Sequence, residues 1–225
     1  MSLTYKPHQQ SYNNRQEKSQ YVYEKYQPLL QDSILDVGAD QCFLKDFLKP
    51  GQQYTGIGIG GAPDIEFNLE SGPLPFESDS FDTVMCLDVL EHLENIHAAF
   101  DELCRVSRKH VIIALPNPWY QVWNAMHGRI YTPEQPMVHY GLPLERQEDR
   151  HKWFFNHEEA VNFVRYRAAK NKMTVIQMDW QGGQEEKKWK KRLFRRLLLG
   201  KRHNPLNLFA STLWVVLQKN RNSRT

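Results

Sequence analysis

Cysteine is scarce in this sequence and never paired. Cys42, Cys86 and Cys104 stand singly, without the CxxC spacing of a zinc ribbon or redox motif. That favours a reducing, cytoplasmic setting over a disulfide scaffold. Long apolar runs are missing as well. The most apolar window, Leu206 to Leu217, is broken by Asn207, Ser211 and Thr212 and is too short to cross a bilayer. The first residues lack the charged-then-apolar pattern of a secretory leader, and no internal repeat or low-complexity tract stands out. What is present is ordinary for a globular protein: 225 residues, 40% hydrophobic and 24% charged. This suits a single α/β domain spanning residues 1–225 with a decorated end.

Charge is unevenly placed. Residues 187–202 hold nine Lys and Arg and no acid, so the formal net charge of +3 leaves the rest of the chain at −6. A nucleic-acid binder usually spreads basic residues over a whole face, so no nucleic-acid partner is expected. On a helical wheel Trp189, Leu193, Phe194, Leu197 and Leu198 share one half and Lys188, Lys191, Arg192, Arg195 and Arg196 the other. Such a basic amphipathic helix, within an insertion at 181–205, either touches an anionic membrane surface peripherally or packs its apolar half on the domain.

Period and breaker signals give the organisation. Residues 1–15 are polar and read as a flexible tail. A helix is expected over Gln16–Gln27, and strands over Ile34–Val37, Tyr54–Ile59, Ile65–Leu69, Phe81–Leu87 and His110–Leu115. A helix capped by Asn95 lies between the last two. Residues 119–155 carry eight aromatics and three prolines without a period and read as a cap after the fifth strand. Asn156 and Glu159 resemble a capping box opening a helix to about Lys170. Strands at Met173–Trp180 and Phe209–Gln218 follow, with the basic insertion between them. Alternating strands and helices predict an α/β, doubly wound, mostly parallel sheet of seven strands.

Two strand ends carry acids where such sheets bind ligands: Asp36 in Ser33–Gly38 and Asp88 after Phe81–Leu87. Gly56-Ile57-Gly58-Ile59-Gly60-Gly61 fits a dinucleotide fingerprint by spacing. Ala62-Pro63 and an alternating strand follow it, however, where that fingerprint needs a helix, so NAD binding is set aside.

These elements resemble class I S-adenosylmethionine-dependent methyltransferases, especially the small-molecule group with a Leu-Pro-Phe-x-x-x-x-Phe-Asp block. Here that block is Leu74-Pro75-Phe76 to Phe81-Asp82, and Leu87-Asp88-Val89-Leu90-Glu91-His92 follows. The resemblance covers about residues 30–120. It implies a Rossmann-like fold, S-adenosylmethionine as cofactor, and contacts from Asp36, Gly38, Ala39, Gly58, Asn68, Leu69, Leu87 and Asp88. Three departures accompany it. The glycine-rich turn is Asp36-Val37-Gly38-Ala39-Asp40-Gln41-Cys42, with Asp40 and Cys42 where the family has glycines. Gly58 replaces the acid that holds the ribose, a loss of about 1.5–3 kcal/mol. Asn68 stands where an acid often meets the adenine amino group. Asp40 either caps the following helix or obstructs the pocket, so cofactor binding is expected to be intact, weakened or lost.

Methyl transfer from a sulfonium needs alignment and removal of a proton. His92 is a candidate base or a packing residue of its turn. His139, Glu145, His151 and Trp153 either line an acceptor site or form an exposed loop. His92 and His97 are five apart rather than four, so no metal site is expected. The favoured reading is methyl transfer to an oxygen or carboxylate on a small-molecule, lipid-linked or glycan-linked acceptor. The alternative is a degenerate relative acting as an assembly partner.

Overall fold

The computed structural model describes residues 6–8, 12–126, 139–147, 149–182 and 204–220. Eight strands form one sheet: β1 (Lys6–His8), β2 (Ser33–Val37), β3 (Gln53–Gly58), β4 (Ile65–Glu66), β5 (Phe81–Leu87), β6 (Ser107–Pro116), β7 (Met173–Gly182) and β8 (Ala210–Lys219). Their order is β1-β7-β8-β6-β5-β2-β3-β4. All pairings are parallel except those of β8, which runs antiparallel to both β6 and β7. The seven expected strands are therefore present, joined by a short edge strand from the segment read as a flexible tail. Its polar sequence hides it, because edge pairing uses backbone groups and needs no apolar alternation.

The sheet is covered on both faces, as its nearly continuous apolar strands require. Against one face lie α2 (Ile96–Val106) and α4 (His157–Lys170), burying Phe100, Leu103, Val161 and Val164. Against the other lies α1 (Arg15–Tyr26), which buries Tyr21, Val22 and Tyr26 beside Trp214 of β8. Lys25 reaches Asp179 of β7 at 3.1 Å beneath the same helix. The capping box at Asn156 and Glu159 is present with both bonds, 2.8 and 3.0 Å. Asn95 starts α2 without a side-chain cap, giving its amide instead to the Leu69 carbonyl at 3.0 Å.

The cap is more regular at its start than its sequence suggests. Pro118 opens a helix, α3 (Pro118–Met126), as proline does at a first helical turn. The Asn117 amide fixes this corner by donating to three backbone carbonyls at Leu206, Asn207 and Ala210, around the short α5 (Leu206–Phe209). The basic helical insertion, with its 187–202 charge run, lies outside the described residues.

Candidate functional site

The carboxyl ends of β2, β5 and β6 open into a cavity of about 490 Å³, roofed by α1. Its wall includes Lys18, Asp36, Gly38, Asp88, Glu91, His92, His139 and His151. An apolar cavity of about 350 Å³ lies beyond the β5 end against α2, lined by Leu69, Leu74, Leu90 and Leu93 among others. Both volumes are in the range of small-ligand sites.

The floor of the larger cavity is the loop after β2. Gly38 has φ +82°, and a Cβ there would fall 2.2 Å from Val89 Cγ2, so only glycine fits. The Gly38 and Ala39 amides both donate to the Ile57 carbonyl, at 2.7 and 3.3 Å. Asp40 and Cys42 follow with φ 46° and 53°, backbone that glycine would adopt more easily. Asp40 lines the cavity, as one of the two sequence readings has it, but neither residue caps a helix. Asp40 caps nothing: the following element is a 3-10 turn, Phe43–Phe47, without a side-chain cap. Asp40 instead pairs with Arg15 of α1, and its carbonyl accepts from the Ala62 amide at 2.8 Å. Cys42 does not line the cavity. Its sulfur packs over Gly56, where an added Cβ would sit only 2.5 Å from it.

Gly58 ends β3 against this loop. A Cβ built on it meets Gly38 Cα at 3.4 Å, an ordinary contact, so the missing acid was not excluded by lack of room. Asp36 accepts a hydrogen bond from the Tyr54 hydroxyl at 2.8 Å. Burial raises its pKa to about 6, against the opposing effects of that hydroxyl and of Lys18. Lys18 also donates to Asp88 Oδ2 at 2.6 Å, leaving Oδ1 buried without a partner among the described residues. The Asn68 side-chain oxygen accepts from the Glu70 amide at 2.9 Å, and Leu69 lines the apolar cavity. Leu87 reaches the larger cavity.

The mouth is formed by the turn after β5 and by residues within 139–147 and 149–151. His92, His139 and His151 gather there, with ring centroids 4.4 Å apart for the 92–151 and 139–151 pairs. Burial lowers the His92 pKa, and it lowers that of His151 to about 3, helped by the neighbouring imidazoles. The His139 Nδ1 lies 3.1 Å from the Asp149 carbonyl. The other two acceptor-site candidates are elsewhere. Glu145 is exposed, and Trp153 packs against His97 while its indole donates to the Leu93 carbonyl at 2.7 Å. Sequence reasoning passed over Lys18, Tyr54 and Glu91. Lys18 had no visible signal, being one lysine on a polar helix, whereas Glu91 stood in plain view in the Asp-x-x-Glu-His run.

A family model described as "methyltransferase domain" matches residues 35–115. A comparison with curated proteins finds no match. Among solved structures, the chain is similar to the small RNA methyltransferase HEN1, with 15% identity over 93% of this chain and a TM-score of 0.58. It spans only 26% of that protein's length. An S-adenosylmethionine-dependent methyltransferase from Archaeoglobus fulgidus aligns over 91% of this chain and 94% of its own, with 13% identity and a TM-score of 0.54. Magnesium protoporphyrin IX methyltransferase from Synechocystis PCC 6803, solved with bound S-adenosylhomocysteine, aligns over 91% and 83%, with 13% identity and a TM-score of 0.51.

Proposed function

We propose that this chain, a class I S-adenosylmethionine-dependent methyltransferase by its residue 35–115 domain and its fold, methylates an oxygen or carboxylate of a small-molecule, lipid-linked or glycan-linked acceptor. The observation that carries the proposal is the open cavity at the β2 and β5 ends, whose wall includes Asp40 but not Cys42. Asp40 is neutralised by Arg15 and Cys42 is turned toward Gly56. An assembly partner without turnover would need no such cavity.

The residues present fit the cofactor. Gly38 allows the backbone to approach closely, Asp36 and Asp88 offer carboxylates to its cationic amino-acid end, and Leu69 with Leu74 and Leu90 offers an apolar slot for the base. When bound, S-adenosylmethionine supplies a sulfonium-activated methyl group. The protein's own task is then to hold the acceptor and take its proton. A backbone carbonyl only accepts, so the His139 Nδ1–H must donate to the Asp149 carbonyl. The lone pair of neutral His139 therefore lies on Nε2, and we assign the acceptor's proton to that atom. His92, the imidazole singled out by the sequence, sits against Glu91 and Asp149 instead.

Thermal unfolding of the wild type with and without S-adenosylhomocysteine tests the reading. At about 100 times the dissociation constant the ligand should add roughly 2.7 kcal/mol. That is a shift of about 5–10 °C for a domain of this size. No shift in either the wild type or Gly58→Asp would end the proposal.

A further inference from the structure

Glu91 is a buried acid at the mouth that the methyl-transfer reading leaves unused. Its side chain is 0% exposed, and neither carboxylate oxygen has a hydrogen-bond partner among the described residues. Burial first, and then nearby Asp88, push its pKa well above the usual carboxylate range. A buried carboxyl with neither oxygen partnered is unfavourable unless something compensates it.

Two imidazoles converge on the same oxygen. Nε2 of His92 lies 3.7 Å from Glu91 Oε1, and Nε2 of His151 lies 3.9 Å from it. One ligand atom from each of the three residues falls within 4.8 Å of the others. Donors sharing a tetrahedral ion at about 2.1 Å stand about 3.4 Å apart, so each histidine nitrogen need close on Glu91 by only a few tenths of an ångström, and the two histidine nitrogens on each other by no more than about 1.4 Å. The far nitrogens already have oxygen neighbours. His92 Nδ1 is 2.7 Å from Asp149 Oδ1, close though off the line of a good hydrogen bond, and His151 Nδ1 bonds the Tyr140 hydroxyl. An outer shell of this kind fixes which nitrogen of a histidine faces a metal.

We propose that Glu91, His92 and His151 bind one divalent first-row transition-metal ion at the mouth of the cavity. Two imidazoles and one carboxylate favour ions such as Zn²⁺ or Co²⁺ over Mg²⁺, which prefers oxygen donors. All three ligands line the cavity, so the ion's remaining positions open onto it, where an acceptor oxygen would coordinate. Only this last role rests on the methyl-transfer reading. No pattern in the chain marks the site, because His151 is distant from Glu91 and His92 and there is no helical histidine pair.

The test is calorimetric titration of the chelator-treated full chain with Zn²⁺, Co²⁺ and Mg²⁺ separately, without cofactor. One Zn²⁺ or Co²⁺ per chain is expected, with Co²⁺ showing the visible absorption of a low-coordinate site and Mg²⁺ binding at least tenfold more weakly. Glu91→Gln and His151→Gln should each weaken Co²⁺ by tenfold or more while retaining a cooperative melting transition. Exposed Glu145→Gln should bind as the wild type does. If either ligand variant fails to melt cooperatively, Asp149→Asn replaces it and should weaken Co²⁺ by about tenfold. A wild type without stoichiometric Zn²⁺ or Co²⁺, or affinities unchanged in the ligand variants, overturns the site. The S-adenosylhomocysteine shift, measured in chelator, reports separately on the cofactor cavity, so either reading can fail while the other stands.

Discussion

The floor and the mouth of the cavity answer unusual sequence in opposite ways. On the floor, the residues that depart from the methyltransferase pattern find partners in the fold: Asp40 has Arg15, its carbonyl has the Ala62 amide, and Cys42 has the face of Gly56. At the mouth, the residues that keep the pattern are the ones left wanting. Glu91 has no partner for either oxygen, and Asp88 has none for Oδ1, among the described residues. Departure from a motif is thus a poor guide to lost function when neighbours absorb it. An unmet polar requirement inside a run that matches the motif is the better pointer to a ligand.

The contrast can be broken most severely at Gly38. Alanine there combines a left-handed backbone with overlap on Val89, together about 3 kcal/mol. Melting should fall by roughly 6–12 °C and the S-adenosylhomocysteine shift should vanish; a melting temperature within 2 °C of wild type would mean the floor is not rigid. Gly58→Asp should act the other way, supplying the ribose acceptor in available space and tightening S-adenosylhomocysteine by about one to two decades in calorimetry. Glu91→Gln should separate the metal-free and metal-bound states. In chelator the amide replaces a buried acid without partners and should leave stability within about 1 kcal/mol of the wild type, whereas saturating Zn²⁺ should favour the wild type.

The pH dependence is smaller. Asp36 has a raised pKa of about 6 in the fold, so the folded state holds its proton more tightly than the unfolded state does. Its contribution to stability is fully present below about pH 4 and is lost as pH rises toward 6. Affinity for the cationic cofactor end should rise as Asp36 ionises around pH 6, and Asp36→Asn should flatten both profiles. Smallest of all is Asp40→Gly. Relief of the left-handed residue and loss of an exposed ion pair nearly cancel, so the melting temperature should move by about 1 kcal/mol equivalent or less.

Periodicity and breakers made the sheet legible, because buried strands and amphipathic helices must show their faces in the sequence. The positions of β2, β3, β5, α2 and α4 follow from that. The edge strand β1 did not show, since backbone pairing leaves no side-chain signature, and α3 did not because aromatics surround it without a period. Within the site, the acids at the ends of β2 and β5 were readable from chain order alone. The His92–His151 meeting was not, since it depends on where the segment after α3 returns to the sheet. Nor could the sequence tell that Asp40 would find Arg15, an encounter between the loop after β2 and the first turn of α1.

The docking of α1 has a consequence for biosynthesis. A polar twelve-residue helix is marginal alone in water, and its anchors, Tyr21 and Tyr26, rest on Trp214, with Lys25 on Asp179. The helix carrying Lys18 and Arg15 is therefore made early and seated late, after β7 and β8 have left the ribosome. Until that moment a nascent chain has its glycine turn but no roof over it, and ligand capture becomes a property of the completed polypeptide.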